Sequence, residues 1–233
     1  AGDDDDAGDD DDAGDDDTGD DDDSGGDDAT SACLSVSTQQ GMDFVKVCGG
    51  TFEMGCTTAQ QNDGNCGADE SPDHDVTLTR DFWMGETEVT QSQWEAAMGN
   101  NPSYFSASGS GADCGGDCPV ESVNWWEAVS LANELSSDQG LASCYELLGC
   151  SGTAGVDLDC TGVTVTSASG SPYDCQGYRL PTEAEWEFAA RADADQLYAG
   201  SDNLGTVGWY DGNSGSTTQW AATLAPNEWG LYD

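Results

Sequence analysis

Cysteines, a histidine and a handful of cations are the residues of this 233-residue chain whose chemistry could be specific. The ten cysteines stand at 33, 48, 56, 66, 114, 118, 144, 150, 160 and 175. Structural zinc takes closely spaced cysteine pairs occurring twice, or cysteine with histidine. Only Cys114 and Cys118 are that close, and His74 is the single histidine, so zinc is disfavoured. An even count instead suits disulfides formed in an oxidising compartment. Connectivity does not follow from sequence. Local pairing is the expectation, with Cys56–Cys66, Cys114–Cys118 and a nested set of Cys144–Cys175 around Cys150–Cys160. His74, between Asp73 and Asp75, reads as a hydrogen-bonding residue before it reads as a base. Arg179 and Arg191 are two of four cations, and each is expected to pair with a carboxylate such as Glu183 or Glu187.

Elements must position these groups. Phe44–Val47 and Asp75–Thr79 alternate apolar and polar residues as half-buried strands do. Thr90 with Gln93, Asn124 with Glu127 and Thr182 with Glu185 have the spacing of helix capping boxes. Behind them, Trp94, Ala97 and Met98 line one helix, ended by Gly99. Ala128, Val129, Ala132 and Leu135 line a second, and Trp186, Ala189 and Ala190 a third. Trp94 and Trp186 are therefore expected in the core. Of the adjacent Trp125 and Trp126, at most one can point inward. Residues 149–174, rich in Gly, Ser and Thr, read as a disulfide-pinned surface excursion.

Charge sets further limits. There are 47 acidic residues against 4 Lys and Arg, for a formal net charge of −43. Residues 1–28 hold 17 of the acids, all aspartate, in a loosening AGDDDD repeat. Such text has nothing to bury and cannot offset the entropy of ordering. Residues 1–32 are expected to be a disordered, self-repelling linker, and residues 33–233 a single domain. Four adjacent aspartates cannot all face one ion, so a solvated spacer is preferred to a calcium site there. Nucleic acid is not an expected partner, because its phosphates need clustered Lys and Arg. No apolar run of about 18 residues exists, so no transmembrane segment is expected. The start at Ala1, without Met or a hydrophobic leader, is the text of a processed product or a fragment.

Several strings in order then resemble the formylglycine-generating-enzyme (sulfatase-modifying factor) family. Gly49-Gly50-Thr51-Phe52-Glu53-Met54-Gly55 is similar to its G-G-x-F-x-M-G opening. Glu70 through Val76, Phe82 through Thr90, and Pro119 through Trp125 follow its later motifs. Arg179-Leu180-Pro181-Thr182-Glu183-Ala184-Glu185-Trp186-Glu187-Phe188-Ala189-Ala190-Arg191 resembles its most diagnostic string, and Pro226-Asn227 with Gly230-Leu231-Tyr232-Asp233 the one after. The resemblance covers about residues 45–233. It implies an α+β, irregular fold, a variant of the C-type-lectin-like fold.

The resemblance also implies chemistry. The family's oxidases convert a sulfatase cysteine to formylglycine, using oxygen and copper held by two cysteines downstream of the G-L-Y-D motif. This text ends on that motif, and none of its ten cysteines corresponds to them; Cys144 and Cys150 precede the diagnostic string and are rejected. Copper is expected only if a cysteine pair follows. A branch using iron held by three histidines does not suit a chain with one. A family calcium site uses the loop before P-N-x-x-G-L-Y-D, here Trp209–Gly215. That makes Asn213 and Asp211 its candidate ligands and calcium the candidate cofactor, with alternating oxygens at D-x-N-x-G; the same text is a strong turn. The expected function is an extracytoplasmic domain on an acidic tether, secreted or at the cell surface, binding a protein or glycan without catalysis. The alternative is the N-terminal part of an oxidase whose partner is a sulfatase.

Overall fold

The computed structural model describes residues 33–232. The acidic linker expected at 1–32 lies outside the described residues.

Three strands form one antiparallel sheet in the order β1 (Val36–Gln39), β2 (Met42–Val47), β5 (Phe82–Gly85). Val45 pairs with Val36 on one side and Met84 on the other. β3 (Thr51–Met54) and β4 (His74–Thr77) make a separate antiparallel pair. The Gly49-Gly50 link between β2 and β3 is a close approach. A Cβ on Gly49 would meet the Leu78 carbonyl at 2.5 Å, and one on Gly50 the Phe188 ring at 2.9 Å. Side chains at either position would push β3 off the core.

The helices are α1 (Thr58–Asp63), α2 (Gln91–Met98), α3 (Trp125–Asp138), α4 (Glu183–Arg191) and the single turn α5 (Leu204–Val207). The three expected capping boxes are all formed, at Thr90, Asn124 and Thr182. Each satisfies two of the amide groups that a helix start leaves without partners. Thr57 with Gln60 adds a fourth box that the reading of the chain did not pick out. Gly99 ends α2 in the left-handed conformation, at φ 74°.

The core has three adjoining parts. Met42, Trp94, Leu131 and Leu135 join the sheet to α2 and α3. Val47, Leu78, Phe188 and Ala189 join it to α4, with Trp229 and Leu231 packed alongside. Val129, Cys144 and Tyr145 close the far side of α3. Trp94 is 1% exposed, as expected, but Trp186 is 60% exposed and outside the core. The buried face of α4 is Glu185, Phe188 and Ala189, about one residue round from the expected stripe. Glu185 sets that rotation, because it turns inward to meet Arg179. Trp125 is half exposed and stacks edge-on against Trp126.

The segment 149–174 is more than a surface excursion. β6 (Tyr145–Leu148) pairs with β9 (Gly162–Val165), and between them β7 (Ser151–Thr153) pairs with β8 (Val156–Asp159). Leu158 and Cys160 are buried. The Asn124 side-chain amide donates to the Leu158 carbonyl at 2.8 Å, and Glu127 accepts from the Gly155 amide at 2.8 Å. Composition hid this docking, because the contacts run through backbone groups.

Five disulfides cross-link the chain: Cys33–Cys48, Cys56–Cys66, Cys114–Cys118, Cys144–Cys175 and Cys150–Cys160. Four are the expected pairs, and none of the ten cysteines is free. Such a framework fits an extracytoplasmic protein. Among the described residues, no helix is long and apolar enough to cross a membrane.

Candidate functional site

The diagnostic string builds a buried ion pair. Arg179 precedes α4 and Glu185 is its third residue. The two guanidinium Nη atoms donate to the two carboxylate oxygens at 2.7 Å each, a bidentate fork. Glu185 also accepts from the Thr182 amide at 2.9 Å, closing the capping box. Burial pushes the Glu185 pKa up, but the Arg179 and Thr182 hydrogen bonds outweigh it and hold the carboxyl below its ordinary range. Arg179 shows the mirror case, with burial opposed and overcome by Glu185. Glu185, rather than the expected Glu183, is thus the Arg179 partner. Arg191 pairs with Glu187 at 2.5 Å, as expected, and donates to the Glu53 carbonyl at 2.8 Å, tying α4 to β3.

Asn227 performs the same service for the C-terminal string. Buried, it donates to the Ala189 and Ala190 carbonyls at 2.8 and 3.1 Å and accepts from the Trp229 and Leu231 amides at 3.0 and 3.1 Å. One side chain satisfies the last carbonyls of α4 and folds the chain end back over it. These motif residues are architecture.

The reactive candidates are not assembled. His74 opens β4, is exposed, and places its Nδ1 3.2 Å from the Pro72 carbonyl. Every cysteine is bridged, so none offers a thiolate to a metal.

The loop ahead of Asn227 carries the proposed calcium ligands. Asn213 Oδ1 accepts from the Tyr210 amide at 2.8 Å, and its Nδ2 donates to the Gly208 carbonyl at 3.1 Å. Asp211 is exposed on the same turn. Calcium takes about six to eight oxygens. These two residues supply few, one of them already engaged, and no group of three or more His, Cys, Asp or Glu side chains suited to a metal occurs among the described residues. By themselves they do not complete a calcium shell.

Concave surface is the other candidate. A groove of about 410 Å³ runs beside β5, between Phe44, Trp83, Tyr178 and Arg179. A second concavity, of about 380 Å³, is lined by Trp209 and Trp220 together with Cys114, Thr217 and Thr218. Neither was foreseen from the chain. The available signal was two tryptophans in Gly/Ser/Thr-rich text, with no helical spacing to place them in a core.

Similarity to known proteins bears on this arrangement. The sequence profile of the sulfatase-modifying factor enzyme 1-like domain matches residues 30–233. The chain is 36% identical over 200 residues to the chaperone protein LppX of Paenibacillus barcinonensis, covering 79% of this chain and 59% of that protein. It therefore spans less than two thirds of that relative's length. The fold is similar to that of Treponema denticola variable protein 1, at 28% identity and TM-score 0.60, over 85% of this chain and 72% of that one. CarF is similar at 28% identity and TM-score 0.56, over 84% and 77% of the two chains. PvdO from Pseudomonas aeruginosa shares the fold at 19% identity and TM-score 0.54, over 86% and 70%. By its ordered motifs, its profile match and its fold, the chain belongs to the sulfatase-modifying factor enzyme 1-like, or formylglycine-generating-enzyme, domain family.

Proposed function

We propose that this chain is a non-catalytic binding module of its family, held outside the cytoplasm on an acidic tether. The observation that carries the reading is the state of the cysteines. All ten are in disulfides, and the one histidine is exposed on a strand edge, so these residues offer neither a thiolate pair for copper nor a histidine cluster for iron. What the domain does offer is concave surface with exposed aromatic rings, held rigid by cross-links and buried ion pairs. A chaperone-named relative supports a binding role. The net charge of −43 favours solubility and repels anionic partners.

The test is incubation of the full chain with copper(I), oxygen and a peptide carrying a C-x-P-x-R sequence, read by mass spectrometry. No formylglycine is expected. Turnover would overturn the reading.

Family membership favours a second reading, the N-terminal part of an oxidase acting on a sulfatase. Copper would then need a cysteine pair outside these residues. Joining the chain to such a segment and recovering peptide oxidation would establish it.

A further inference from the structure

We draw no further inference here: the strongest candidate, the groove lined by the outermost strand β5 with its exposed Trp83 and by Tyr173, Tyr178 and Arg179, is an unpartnered concave surface, and nothing in the structure shows what covers it.

Discussion

Arg179 and Glu185 meet through two parallel 2.7 Å hydrogen bonds, with the Glu185 side chain 1% exposed. The pair sits where the chain enters α4 and fixes which face of that helix is buried. Removing one partner of a buried pair leaves the other charge uncompensated.

Glu185→Gln is accordingly expected to cost about 3–5 kcal/mol, measured by urea unfolding at neutral pH. The pH dependence has a defined sign. The Glu185 carboxyl titrates below its ordinary value near 4.5 in the folded protein, so its contribution is present above that value. It is lost as pH falls through the depressed folded pKa. Stability of the parent should fall in this acid range, and the variant should show a flatter slope there. Equal slopes would show that the pair does not contribute to acid unfolding.

Trp94 and Trp186 both lie on helices, with opposite burial. Trp94→Ala is expected to destabilise by about 3–5 kcal/mol. Trp186→Ala should stay within about 0.5 kcal/mol of the parent, as exposed substitutions do. Thermal and chemical unfolding of the two variants side by side would check the contrast.

Cys144–Cys175 closes the longest loop of the five bridges, at a sequence separation of 31. Replacing both cysteines by serine should cost about 3–4 kcal/mol if chain entropy dominates. The unreduced parent, unfolded in denaturant, should meanwhile show no thiol reactive to Ellman's reagent, and ten after reduction. Any free thiol in the unreduced protein would contradict the framework.

Asn213 closes the turn that begins at Gly208, through the Tyr210 amide and the Gly208 carbonyl. Asn213→Ala should lose about 1–2 kcal/mol. The loss should be the same in chelator and in excess calcium, if the residue serves the turn. A melting temperature that rises with calcium in the parent alone would restore it as a metal ligand.

Chain text alone settled a good deal here. Helix starts were legible because a capping box is a local arrangement, written within four residues at Thr90, Asn124 and Thr182. Strands β2 and β4 were legible because alternation is local too. The family followed from strings whose order is linear, and three of the four anticipated disulfides join cysteines no more than 10 residues apart. Folding alone decided what depends on distant partners. Glu185, not Glu183, met Arg179, and that buried pairing set the rotation of the helix. That same rotation put Trp186 in solvent. The Leu158 hairpin docked on Asn124 and Glu127 through backbone groups, which carry no residue signature. The Trp209 and Trp220 cavity draws its walls from residues about a hundred positions apart, where no periodicity reaches. Local hydrogen bonding is written in neighbouring residues; burial and enclosure are properties of a surface that exists only once the chain has closed on itself.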